Sequence, residues 1–266
     1  MSAYLNCLLG IVRREALRFV HQRGRFLSAL VRPLVWLAIF AAGFRFVLGV
    51  SIQPPYETYV LYETYIAPGL VAMILLFQGM QSSLSMVWDR ETGSMRVLLT
   101  SPLPRPWLLF SKLLAGVLVG VAQAYVFLMI ALLWEVEPPV LGYLAVLPAL
   151  LLSGMMLGAL GLFLSSRIRQ LENFAGVMNF VIFPMFFASS ALYPLWRVKE
   201  ASLALWWACQ LNPFTHAVEL IRFALHLRFE PVSAAAVAAA LVVFGALAML
   251  GYDPRRGAMT RRVANA

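Results

Sequence analysis

Six apolar runs dominate this chain, each close to the roughly 20 residues that an α-helix needs to cross the hydrocarbon core of a bilayer. They cover about 30–50, 66–88, 107–134, 143–164, 174–193 and 233–252. No soluble core can absorb that much apolar surface: 62% of the residues are hydrophobic and only 12% are charged, where a globular domain is nearer half apolar. The reading is an all-α polytopic membrane protein, one membrane domain over 1–266.

The positions of the charges set the expected orientation. Arg13, Arg14, Arg18, Arg23, Arg25 and Arg32 precede or open the first run. Arg90, Arg96, Arg105 and Lys112 lie between the second and third, Arg167 and Arg169 between the fourth and fifth, and Arg255, Arg256, Arg261 and Arg262 follow the last. By the positive-inside rule these segments face the cytoplasm, which gives six spans with both termini cytoplasmic. The net charge of +9 is therefore topological, and with no basic groove interleaved with aromatics we read no nucleic-acid partner. The first thirty residues lack the pattern of a cleaved signal peptide. An uncleaved, arginine-anchored chain suits a bacterial inner membrane.

Residues 4–28 read as an amphipathic helix, with Leu8, Val12, Ala16 and Phe19 on one face and Arg14, Arg18, His21 and Arg25 along another. It either lies in the lipid interface or acts as a simple topogenic basic segment. Arg45, near the end of the first run, either snorkels outward or contacts cargo. Gln78, Ser82 and Ser85 share a face of the second run that either packs against a neighbouring helix or lines a cargo path. Gly154, Gly158 and Gly161 in the fourth run allow helix backbones to approach closely. Cys7 and Cys209 fall on opposite sides of the membrane and read as an unpaired set.

Residues 194–231 carry charge and are interrupted, so they read as an outer re-entrant segment with two short half-helices. Asn212 is the expected N-cap and Pro213 the first-turn proline of the second, with Glu219 and Arg222 spaced to pair. A seventh span through this stretch would expel the arginine tail, so that count is rejected.

The polar stretch from Trp88 to Lys112 separates two long runs. Asp89 to Thr100 is expected to be a short helix opened by its carboxylates and stopped by Pro102, Pro104 and Pro106. Glu91, Gly93, the pair Leu98 and Leu99, then Ser101, Pro102 and Lys112 resemble the cytoplasmic loop of permeases of the ABC type 2 exporter class. A second segment, LNPFTHAVELIR at 211–222, is similar to the Asn-Pro segment before that family's last membrane helix. The resemblance implies that 89–106 is a coupling loop docking on a separate ABC ATPase subunit, with Asp89, Arg90, Glu91, Gly93, Arg96, Ser101 and Pro102 as contact or joint residues. It also implies a second permease chain, read as a homodimer, with ATP and magnesium held by the partner ATPase and no cofactor in this chain. An ordinary basic cytoplasmic loop is the plain alternative.

Enzymatic chemistry does not assemble from the residues. Neither Lys112 nor Lys199 follows a glycine-rich phosphate loop, no HExxH or GxSxG occurs, and no metal-ligand spacing links His21, His216 and His226. The expected activity is a permease subunit for a hydrophobic or lipid-linked cargo. The alternatives are a membrane enzyme acting on a lipid through His216 and Glu219, or a secondary transporter.

Overall fold

The computed structural model describes residues 2–21, 23–44, 54–56, 60–91, 103–168 and 170–252. Among the described residues every regular element is helical. Four helices are long and apolar enough to cross a membrane: Tyr62–Trp88, Arg105–Trp134, Gly142–Arg167 and Pro231–Gly251. Two shorter apolar helices, Leu30–Phe40 and Leu171–Phe187, occupy the first and fifth runs.

The N-terminal region is two helices, α1 (Ser2–His21) and α2 (Arg23–Phe44), where the sequence suggested one interfacial helix to residue 28. The first apolar run begins within a few residues of Arg23, and α1 packs against the long helix that opens at Arg105. One straight helix could not do both. Arg45 lies outside the described residues. Next, α3 (Tyr62–Glu91) outruns the expected second span at both ends. Asp89, Arg90 and Glu91 therefore fall in its last turn instead of opening a new helix, because no Gly or Pro stands between Gly79 and Gly93. Gly93, Arg96, Ser101 and Pro102 are outside the described residues.

Helix α4 (Arg105–Ala131) starts after Pro104, which sits in extended backbone, and a 3-10 turn (Leu132–Trp134) continues it. Helix α5 (Gly142–Arg167) carries Arg167 in its last turn and not in a loop, where its charge complements the helix dipole. Helix α6 (Leu171–Phe187) stops short of the expected Tyr193. Ser189 closes a turn there, donating to Phe186 O at 2.6 Å and accepting from Ala191 N at 3.2 Å.

Three short helices follow, where two were expected: α7 (Leu195–Ala201), α8 (Leu203–Leu211) and α9 (Pro213–Leu225). Extended Ser202 divides the first two, its side chain accepting from Leu205 N. The last helix is α10 (Pro231–Gly251). Successive long helices run in alternate directions, so the bundle has an α1 end and a far end that carries α7 to α9.

Helix α3 is the centre of the bundle and touches α2, α4, α5, α6 and α9. Its stretch from Leu70 to Leu76 is buried all round, as expected of an apolar helix enclosed by others. Its tightest crossing is with α5. A Cβ on Gly79 would come within 2.9 Å of Gly158 Cα, and one on Gly161 within 2.9 Å of Gly79 O. The glycine spacing read from α5 is thus used for backbone contact. Gln78 and Ser82 lie at the α3–α4 seam, where a Cβ on Gly120 or Gly116 would meet them at 3.2 and 2.5 Å. Ser85 donates to Ser82 O at 2.7 Å. Gln78 and Ser82 thus lie against the glycines of α4, while Ser85 bonds within α3 itself. By contrast α10 leaves Val242, Val243 and Leu250 exposed, as suits a helix facing lipid.

Arg32 is not at the α1 end, where the charge pattern put it. The helix runs unbroken from Arg23, so Arg32 stands about 14 Å along it, and its guanidinium carbon lies 4.0 Å from the ring centroid of Phe77. Phe77 is near the middle of α3.

Candidate functional site

At the far end the α8–α9 elbow is built on Asn212. Its extended backbone and the proline after it start α9, and its Oδ1 accepts from Phe214 N at 3.0 Å. The same side chain reaches across to α6, donating from Nδ2 to Met185 O at 2.7 Å and Ala188 O at 2.6 Å. Carbonyls at a helix C-terminus have no intrahelical partner. One amide therefore caps the start of one helix and the end of another. His216 fixes the preceding turn, its Nε2 bonded to Gln210 O at 3.0 Å.

Arg222 is a buried charge of this end, with 2% of its surface exposed, and Glu63 in the first turn of α3 is another. Arg222 pairs with Glu219 through Nη1, as the spacing predicted, and donates from Nη2 to Ser190 O at 2.8 Å and Tyr65 O at 3.4 Å. Its guanidinium carbon lies 4.2 Å from the Tyr65 ring centroid. Tyr65 and Tyr62 donate to Ser190 O at 3.0 Å and Leu192 O at 2.6 Å. These bonds tie the start of α3 and the whole of α9 to the turn that ends α6. Sequence reasoning missed the two tyrosines. Their signal was visible in hindsight as hydroxyl-bearing rings three apart at the polar mouth of an apolar run.

Beside this latch, Tyr56 and His226 meet edge to face at 4.8 Å. Burial pushes the Tyr56 phenol up to about 12. Burial also holds His226 below its ordinary value, assisted by the charges of Arg222 and Arg228, while its Nδ1 bonds to Arg222 O at 3.0 Å. A cavity of about 540 Å³ opens here, lined in part by Glu135, Glu137 and His226. Because Asn212, His216, Glu219 and Arg222 all hold backbone or one another, none is posed as a nucleophile or general base. Among the described residues no group of three metal-ligating side chains forms.

At the opposite end α1 is fastened to the first turn of α4. Trp107 Nε1 donates to Tyr4 O at 3.2 Å, and the two rings meet edge to face at 5.6 Å. Lys112 is buried one turn further in and donates to Met86 Sδ at 3.0 Å, joining α4 to α3 close to Glu91. The polar stretch singled out by sequence thus connects two helices clamped to each other. Cys7 on α1 and Cys209 on α8 lie at opposite ends, both as free thiols.

The family model described as "ABC-2 type transporter" matches residues 7–226. A "Putative transport permease ycf38" from Porphyra purpurea is 25% identical over 219 residues, covering 80% of this chain and 72% of that protein. Its namesake from Cyanophora paradoxa is 24% identical over 225 residues, 83% of this chain and 74% of the relative. A "Probable multidrug ABC transporter permease YbhR" from Escherichia coli K12 is 29% identical over 164 residues, 60% of this chain and 43% of that protein. A bundle of apolar helices centred on α3 agrees with that match across most of the sequence, and the chain is a member of the ABC-2 type transporter family, a permease subunit.

Proposed function

We propose that this permease is the membrane half of an ATP-driven exporter that moves a hydrophobic or lipid-linked cargo. The observation that carries the reading is the clamp at the α1 end. Trp107 binds Tyr4 and Lys112 binds Met86, so a push on the segment between α3 and α4 is passed to α1 and to the central helix together. A separate ABC ATPase subunit, holding ATP and magnesium, supplies that push by docking on the stretch that includes Asp89, Arg90, Glu91, Gly93, Arg96, Ser101 and Pro102. In this reading all six apolar helices span a bacterial inner membrane, with both termini cytoplasmic. The exposed Leu5, Leu9 and Leu17 of α1 suit a helix lying in the lipid interface.

A second permease chain completes the unit as a homodimer. The support is α6, where Asn179 is exposed within an apolar helix and Gly176 has open space around it. An amide in hydrocarbon finds its hydrogen bonds on another helix. Gln78 and Ser82 would contact cargo only if the α3–α4 seam opened.

The test is a mild-detergent pull-down of the tagged chain from its native host, with ATP hydrolysis assayed in the eluate. An ATPase should accompany the chain, and Glu91→Lys should leave the permease inserted while uncoupling hydrolysis from transport. Wild-type transport by that variant would remove the coupling role. A preparation free of any ATPase would remove the exporter reading.

A further inference from the structure

Three observations converge on Arg32. It lies within the shorter apolar helix Leu30–Phe40. Its guanidinium stacks 4.0 Å from the ring of Phe77, at the middle of the central helix. One turn further along the same face of α2, Trp36 meets Phe186 and Phe187 at 5.9 and 6.0 Å, and these are the last two residues of α6. Arg32 therefore stands on the α1 side of an aromatic contact between α2 and α6, deep inside the bundle's apolar zone.

The charge is presented, not enclosed. Arg32 is exposed, as are Val31, Val35 and Ile39 beside it on α2. Among the described residues no carboxylate pairs with it. Helical side chains lean toward their own N-terminus, which for α2 is the α1 end, so Arg32 could have reached back toward the lipid headgroups. It instead covers Phe77. The aromatic face offsets part of the charge but brings no counter-ion. An ionisable group at this depth, facing an open side and stacked in a fixed position, is the pattern of a binding residue, and guanidinium presents a planar fork that matches carboxylate and phosphate oxygens.

We propose that Arg32, held on Phe77, binds the anionic group of an amphiphilic cargo, a phosphate or carboxylate whose alkyl portion lies against Val31, Val35 and Ile39. This deepens the exporter reading by giving its cargo a charge, and it rests on that reading for the step of movement, though not for binding. The aromatic contact at Trp36, Phe186 and Phe187 would then close the route beyond the bound anion.

The experiment uses the full chain alone, in nanodiscs of neutral lipid, so that its outcome does not depend on any ATPase. A photoactivatable alkyl phosphate and the matching alkyl alcohol are cross-linked separately and the labelled peptides mapped. The phosphate probe should label the peptides of α2 and α3 about tenfold more than the alcohol, the preference expected of a charge-assisted hydrogen bond. Arg32→Gln should abolish that preference, and Arg32→Lys should retain part of it. Excess inorganic phosphate should not displace the probe, because the alkyl portion contributes. Equal labelling by both probes, an unchanged preference in Arg32→Gln, or displacement by inorganic phosphate would each overturn the proposal. Thermal stability separates a binding role from a structural one: Arg32→Leu removes a charge from an apolar helix and should unfold no earlier than the wild type, whereas a residue that merely pinned α2 to α3 would lower the midpoint when replaced. Loss of the ATPase in the pull-down would leave this binding result standing, and failure of the labelling would leave the permease assignment intact.

Discussion

Arg222 on α9 covers the ring of Tyr65 on α3 at 4.2 Å while its Nη2 bonds to Ser190 O at 2.8 Å, so one guanidinium joins three segments far apart in sequence. Removing it would strip Glu219 of its partner and leave buried carbonyls short of a donor. We expect Arg222→Met to cost roughly 3 kcal/mol, at the low end for a broken buried pair because Glu219 is partly exposed. Arg222→Lys should recover little, since one ammonium cannot reproduce the fork. Thermal unfolding in detergent checks both, and a wild-type midpoint for Arg222→Met would show that the latch contributes nothing.

Asn212 can be dissected because its two ends do different work. Asn212→Asp keeps the acceptor for Phe214 N but loses both donors to Met185 O and Ala188 O. It also sets a carboxylate against those carbonyls. It should therefore destabilise more than Asn212→Ala, whose lost cap and bonds together cost about 2 kcal/mol. The opposite order, with Asp milder than Ala, would mean that only the cap matters.

Gly79 should tolerate no side chain. A Cβ there meets backbone atoms of Leu157 and Gly158 on α5, which cannot rotate away, so Gly79→Ala should cost about 1–3 kcal/mol by overpacking. Gly245→Ala is the control: nothing lies within 4 Å of that position, and a helix-interior Gly→Ala is stabilising by up to about 1 kcal/mol. Equal behaviour of the two variants in chemical unfolding would contradict the close crossing.

Trp107→Ala should free α1. The ring contact and the bond to Tyr4 O join α1 to α4, so their loss should raise hydrogen exchange in residues 2–21 while leaving α3 and α5 protected. Trp107→Phe should fall between, keeping a ring and losing the donor. Unchanged exchange in α1 would place the clamp elsewhere.

His226 gives the far end an acid sensitivity. Its folded value is lowered by burial from an ordinary value near 6.5, so the neutral form is the one that fits. Its contribution to stability is complete above that ordinary value and is lost as pH falls through it toward the lower folded value. The thermal midpoint should therefore decline between about pH 6.5 and the lower folded value, and His226→Gln should flatten the decline. An identical pH profile in the variant would assign the effect to other groups.

The glycine crossing, the Asn212 cap, the Glu219–Arg222 pair and the order of the apolar runs were all legible from spacing, because each depends on neighbours along one helix. Boundaries were less so. The end of α3 at Glu91, the early stop of α6 and the split into α7 and α8 depend on caps and breakers that shift an end by a few residues without altering the pattern. Tyr62 and Tyr65 escaped because their partners, Leu192 O and Ser190 O, are backbone atoms well over a hundred positions away, with no residue type to mark them.

By itself the sequence determined that this chain is a helical membrane protein, since apolar length and charge asymmetry are properties that a one-dimensional chain carries openly, while its permease type came from the resemblance of the segments at Glu91 to Lys112 and 211–222 to a known family. Only the tertiary structure decided what its polar residues do. Gln78 and Ser82 became a packing seam, Arg222 became the pin of the far end, and Arg32 moved from a topological signal to a charge at mid-height. The physical reason is that a polar group in an apolar zone takes its meaning from what stands opposite it, and that neighbour is supplied by another helix.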